Sequence, residues 1–120
     1  HTFAHAYESC LGFSNKLNHG EAVIIGIKNA VEFSNQYKLL KNKSYNLIRN
    51  HINKIPLNKS FKKLFKAKDI DKIISFMKSD KKNNSKDINV ILIQNFGKIK
   101  INYQIKHNIL RKFLSSELKK

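Results

Sequence analysis

The stretch from His19 to about Leu40 constrains this chain more than any other. Ala22, Val23, Ile25, Ile27, Ala30, Val31, Phe33 and Tyr37 recur at helical spacing and lie nearly all round the helix they predict. Such a helix cannot rest on a surface with one face in water. It needs other elements around it, so the chain is read as a layered helical fold with a buried central helix. Gly26, inside that helix, costs about 1 kcal/mol relative to Ala. A close approach by another helix or a ligand would account for it. Asn18 is placed to cap the helix, and Glu21 falls in the first turn, where the macrodipole favours a carboxylate.

The flanking segments supply the layers. His1 to Leu11 reads as a helix, with Phe3, Ala4, Ala6 and Tyr7 as its apolar contacts and Gly12 as its stop. Ser14 to Asn18 is a polar loop. Ser44 is expected to cap a third helix with Leu47, Ile48 and Ile52 on one face, and Pro56 ends it. Ser60 to Lys66 reads as a short amphipathic helix. Asp69 is expected to cap the next, where Ile70, Ile73, Ile74 and Met77 have core spacing. After the polar break SDKKNNSKD the period changes. Ile88 to Gln94 is β-branched, NFGK follows, and Ile99 to Ile105 alternates, which predicts a β-hairpin. His107 to Leu118 closes the chain as a helix. The fold class is therefore mainly α with one small β-hairpin near the C-terminus, and residues 1–120 are read as one domain.

Composition bounds the function classes. A chain of 120 residues buries roughly two-thirds of its unfolded surface, enough for a modest core. Its 41% hydrophobic content argues against wholesale disorder. The net charge of +16 invites a nucleic-acid reading. Almost all of that charge is Lys, however; only Arg49 and Arg111 are of the type that reads phosphates and bases bidentately. Lys, Asn and Ile are enriched together, which fits a solvated Lys-rich surface. The same charge can steer a phosphorylated or carboxylated substrate. No apolar run is long enough to span a bilayer. Cys10 is the one cysteine, so no internal disulfide forms, and a reducing, cytoplasmic setting is expected. The chain lacks an initiator Met and opens on a histidine, and it is read as a fragment.

Three histidines lie in the first nineteen residues: His1, His5 and His19. His1 and His5, four apart, share a helix face, and a short loop can fold His19 back over them. Two metal ligands, or one ligand with one substrate-binding imidazole, both fit that spacing. So do histidines with no ligand at all. A catalytic zinc site usually has three protein ligands and an open position. Glu8 and Glu21 are the nearby candidates for the third. Cys10 could pair with His5 as a nucleophile, but nothing in its surroundings lowers its pKa, and a structural thiol is the simpler reading. Asp80-Lys81-Lys82 is either a solvated charge run or a lysine set at a helix end to hold a phosphate or carboxylate.

Three segments together resemble the 3-dehydroquinate synthase family. HTFAHAYE is similar to its His-Thr-Phe-Gly-His-Ala motif, and LNHGEAVIIGI to its Leu-His-Gly-Glu-Ala-Val motif. MKSDKKNN, followed by INVILIQNFGKI, is similar to its Asp-Lys-Lys segment and the hairpin ending in Gly-Lys. The matches come in the family's order and span the chain. The resemblance implies the helical metal- and substrate-binding C-terminal domain, with an N-terminal NAD-binding domain upstream. It implies conversion of 3-deoxy-D-arabino-heptulosonate 7-phosphate, a seven-carbon phosphosugar acid, to 3-dehydroquinate and phosphate in the shikimate pathway of aromatic amino-acid biosynthesis. NAD and a divalent metal, zinc or cobalt, would be the cofactors, and a homodimer the assembly. By position, His1 and His19 would be metal ligands, and the third ligand, a Glu, would lie upstream. His5 would contact the substrate phosphate and assist proton movement. Lys81, with Lys82 beside it, would reach the phosphate. Glu21 would orient the surroundings of the metal. Ala4 departs from the family's Gly, and the loop before His19 is about one residue longer than in many members. The fragment alone is expected to be inactive.

Other readings compete. Sibling sugar-phosphate cyclases share the histidine motifs, and metal-dependent glycerol-type dehydrogenases carry a His-Gly-Glu-like segment. The Asp80-Lys81-Lys82 segment with its hairpin favours a cyclase. A basic module gripping nucleic acid would need one continuous Lys face with interleaved aromatics, and it leaves the histidine spacing unexplained.

Overall fold

The computed structural model describes residues 2–12, 15–79, 87–95 and 98–120. The chain runs α1 (Thr2–Cys10), α2 (His19–Gln36), α3 (Asn42–Asn53), α4 (Phe61–Leu64) and α5 (Ile70–Ser79). A hairpin of β1 (Asp87–Asn95) and β2 (Lys98–Lys106) follows, then α6 (His107–Leu118). The mainly helical fold with a single hairpin matches the expectation from periodicity. Within the candidate site, His1, Lys81 and Lys82 lie outside the described residues, as do Asp80 and the centre of the NFGK turn.

α2 sits at the centre, between α1 and α3. Ala22, Ile25 and Phe33 enter the main core, and Val31 joins a second, smaller cluster with Leu40 and Tyr45. The helix is not apolar to its neighbours all round, as its composition predicts. Ile27 is 45% exposed, and Asn29 is buried. The buried amide has a partner: Asn29 Nδ2 donates to the Tyr7 hydroxyl of α1. Tyr7 itself is fully buried among Phe61 and Phe65, with ring centroids 5.4 and 5.3 Å away. Burial drives its phenol far above its ordinary pKa, so it stays protonated. Phe33 meets Phe113 of α6 edge-on at 5.2 Å, tying the central helix to the C-terminal one.

Gly26 answers the question its cost raises. A Cβ built there would lie 3.0 Å from the Ala4 backbone nitrogen and 3.4 Å from both Ala4 Cα and Cβ. The missing side chain lets α1 cross α2 at Ala4, and the residue after that crossing is His5.

Several boundaries depart from the sequence reading, each for a local reason. α2 stops at Gln36, short of Leu40. Lys38 adopts φ 58°, and Leu39 N–H and Lys38 N–H donate to the Ser34 and Asn35 carbonyls at 2.7 and 3.1 Å. That is a Schellman ending with Lys in the position glycine usually fills. α3 begins at Asn42 with Lys41 at its N-cap, and Ser44 is buried inside the first turn instead of capping it. Tyr45 takes the inward position, whereas Leu47, expected on the apolar face, is 51% exposed. Asp69 closes a 3₁₀ turn that runs into α5, and its carboxylate accepts the Lys66 N–H at 2.9 Å. The hairpin is antiparallel, with Ile88 opposite Ile105 and Asp87 opposite Lys106. Ile88 and Ile105 are buried at its base, where α6 begins directly after β2.

Candidate functional site

The site grows from the first turn of α2. Asn18 Oδ1 accepts the Glu21 N–H at 2.8 Å, and Glu21 Oε1 accepts the Asn18 N–H at 3.0 Å. This reciprocal capping box fixes the backbone of His19, the first helical residue. Lys59, from the segment before α4, donates to Glu21 Oε1 at 2.8 Å. The Asn18 backbone bond, then Lys59, hold the Glu21 carboxyl below the usual range. Glu21 Oε1 thus accepts from both the helix start and Lys59, joining the turn that begins at His19 to the segment before α4.

α1 supplies the opposing side. His5 and Glu8, three apart, share a face of that helix. The His5 ring stacks on the His19 ring, with centroids 6.4 Å apart and planes 26° from parallel. Glu8 reaches the same histidine: its Oε1 and Oε2 lie 3.1 and 3.2 Å from His19 Nδ1. The close α1–α2 crossing at Gly26 and Ala4 sets this spacing. Both histidines are exposed, so solutes can reach them. The structure thus brings together His5 and His19 and adds Glu8. Among the described residues, no group of three or more His, Cys, Asp and Glu side chains could hold a metal ion. His1, the other histidine of the motif, lies outside those residues, and Glu8 meets His19 at Nδ1. Imidazole and carboxylate donors do suit a divalent ion such as zinc or cobalt, and His19 with its engaged carboxylate fits one.

Cys10 plays a different part. It is half-buried beside the core, and burial, then the Asp69 carboxylate, push its thiol above the ordinary value. A raised thiol is a poor nucleophile at neutral pH. A groove of about 300 Å³ opens on another face of α2, bounded by Lys28, Lys59, Lys62 and Lys120. Two of those cations already meet carboxylates: Lys59 meets Glu21, and Lys120 meets Glu32 and Glu117. Exposed lysines occur on every helix from α2 to α6, so the positive charge is spread over the helices.

Comparison with known proteins follows the same lines. The profile of the family described as 3-dehydroquinate synthase C-terminal matches residues 1–83. A 3-dehydroquinate synthase from Pelagibacter ubique is 45% identical over 120 residues, covering all of this chain and 33% of that protein. One from Nitrobacter hamburgensis is 32% identical over 123 residues, covering 98% of this chain and 32% of that protein. The chain therefore spans about a third of the length of these curated relatives. Among solved structures, a 2-deoxy-scyllo-inosose synthase complexed with carbaglucose-6-phosphate, NAD+ and Co2+ superposes with a TM-score of 0.67. It is 22% identical, and the match covers 98% of this chain and 32% of that one. That likeness shows a shared fold. No helix among the described residues is long and apolar enough to cross a membrane.

Proposed function

This chain belongs to the 3-dehydroquinate synthase C-terminal family, and from that premise we propose that residues 1–120 form the metal- and substrate-binding domain of a 3-dehydroquinate synthase. The reaction is conversion of 3-deoxy-D-arabino-heptulosonate 7-phosphate to 3-dehydroquinate with release of phosphate, in the shikimate pathway. The observation that carries this reading is the His5–His19 pair on two crossing helices, with His19 held by Glu8. The family's two histidine motifs supply these residues in the family's order.

His19 and His1 hold a divalent metal, zinc or cobalt, together with a carboxylate from an upstream part of the enzyme. When bound, the metal supplies Lewis-acid polarisation of a substrate oxygen, and NAD, held upstream, supplies reversible hydride exchange. His5 binds the substrate phosphate and moves a proton there. An exposed imidazole suits both tasks, since its two ring nitrogens can donate to a phosphate oxygen and carry a proton. Lys81, with Lys82 beside it, holds the same phosphate by charge. The enzyme is a cytoplasmic homodimer. NAD, a divalent metal and a phosphosugar-like ligand occur together in the 2-deoxy-scyllo-inosose synthase structure, which supports the same set of ligands here. That neighbour also keeps a sibling cyclase as the second reading.

The test uses the intact enzyme that contains this chain. Phosphate release from the seven-carbon phosphosugar acid is measured with NAD and zinc, before and after chelation. Turnover that chelation removes and metal restores is expected. A folded enzyme that holds metal and NAD but does not turn over moves the substrate to a sibling cyclase's. His19→Ala is expected to lose the metal, and His5→Ala to keep it while losing turnover. Full metal occupancy in His19→Ala overturns the ligand assignment.

A further inference from the structure

We propose that Glu8 is a positioning residue for His19: its carboxylate accepts the Nδ1 proton, fixes the neutral tautomer and presents Nε2 as the metal-binding nitrogen. This inference rests on the reading of His19 as a ligand.

Both Glu8 oxygens lie within hydrogen-bond reach of Nδ1, at 3.1 and 3.2 Å. The Glu8 side chain is only 12% exposed, while that of His19 is 61% exposed. The carboxylate is thus anchored in the protein and the imidazole stands out from it. Partial withdrawal from water strengthens a charge-assisted hydrogen bond. His5, one turn earlier on α1, sets its ring near-parallel to the same imidazole, with centroids 6.4 Å apart. The capping box holds the backbone beneath it. The ring is therefore held at its Nδ1 edge by Glu8 and at its root by the capping box. The Glu8 bond thus restricts the ring's orientation before any metal arrives.

The two ring nitrogens of an imidazole point away from each other. A carboxylate seated on Nδ1 lies on the far edge from an ion at Nε2, so Glu8 supports such an ion without touching it. A ligating histidine commonly donates its other N–H to a carboxylate. That partner sets the tautomer, raises ligand basicity and is worth 10–100-fold in metal affinity.

The test compares Glu8→Ala and Glu8→Gln in the intact enzyme, with cobalt as the probe. Cobalt affinity comes from competition with a chelator, stoichiometry from the d–d absorption band. The His19 tautomer is read by ¹⁵N NMR of the metal-free protein at alkaline pH. The wild type is expected to show the Nδ1–H tautomer. Glu8→Ala should lose that tautomer and weaken cobalt 10–100-fold at unchanged stoichiometry. Glu8→Gln has a nearly isosteric side chain whose amide oxygen accepts the same proton. It should keep the tautomer and recover most of the affinity; the tautomer lost in Glu8→Ala and kept in Glu8→Gln is the readout that a merely structural role would not move. Unchanged tautomer and affinity in Glu8→Ala overturns the proposal. So does loss of all cobalt in both variants, since that marks a direct ligand. Cobalt retained by His19→Ala would instead sink the underlying ligand assignment, so the two failures are told apart.

Discussion

Gly26→Ala and Gly20→Ala place the same methyl on the same helix, and the structure assigns them opposite outcomes. At Gly20 the added Cβ meets only Asn18 Oδ1, at 3.5 Å, an ordinary contact. Removing a glycine from the helix then yields part of the roughly 1 kcal/mol propensity gain, reduced near the terminus. At Gly26 the same gain is opposed by a contact of 3.0 Å with the Ala4 backbone nitrogen and two of 3.4 Å with its Cα and Cβ. Backbone within α1 cannot rotate out of the way, so the whole helix must shift by a few tenths of an ångström. Overpacking of this kind costs about 1–3 kcal/mol. After the propensity gain is set against it, Gly26→Ala should destabilise by up to about 2 kcal/mol. For a chain of this size that lowers Tm by roughly 4 °C per kcal/mol. Urea unfolding of the three proteins, with thermal melts alongside, decides the matter. Adding Ala4→Gly to Gly26→Ala should recover only part of the loss, because it removes the Cβ contact and leaves the nitrogen at 3.0 Å. A Gly26→Ala variant as stable as Gly20→Ala would refute the close crossing, and with it the account of how His5 and Glu8 are brought to His19.

Tyr7→Phe should cost about 1–3 kcal/mol in chemical denaturation, because the buried Asn29 amide loses the hydroxyl that accepts its hydrogen bond. Asn18→Ala should cost about 1 kcal/mol by removing the cap that seats His19, measured in the same way. Lys38→Gly should stabilise by roughly 1 kcal/mol, since glycine carries no penalty at φ 58°; a destabilised variant would count against that turn. On acidification, Glu21 and Asp71 both lose stabilising interactions, because both folded carboxyls are held low. The Asn18 backbone and then Lys59 do this for Glu21, and Arg111 does it for Asp71. Their contribution is complete above the ordinary carboxylate range, near pH ~4, and is lost as pH falls through the lower folded values. A Glu21→Gln, Asp71→Asn double variant should therefore show a flatter stability profile across that window.

Much of this protein was legible in its residue pattern because the relevant physics is local. Helical and alternating periods identified the helices and the hairpin, since the side chains that pack must recur with the geometry of their own backbone. Asn18 was legible as the cap of α2 and Glu21 as its first-turn carboxylate, because both roles are local; the bond from Asn18 N–H back to Glu21 was supplied by the structure. The terminus of α2 was hidden for the converse reason: Lys38 occupies a left-handed position that sequence signals assign to glycine. Ser44 had the chemistry of a cap, but inward packing of Leu40 and Tyr45 started α3 earlier and buried it. In the candidate site, the spacing of His1, His5 and His19 pointed to shared chemistry, and the family motifs suggested roles for each. What a one-dimensional pattern could not supply was the partner of each group. Gly26 pointed to a close approach by a helix or a ligand, and only the fold named Ala4 of α1 as the partner. Glu8 was an acid near two histidines until folding set it on His19 Nδ1. These are contacts between residues eleven and twenty-two positions apart on different helices. They depend on how two rigid elements cross, and no local propensity encodes that angle.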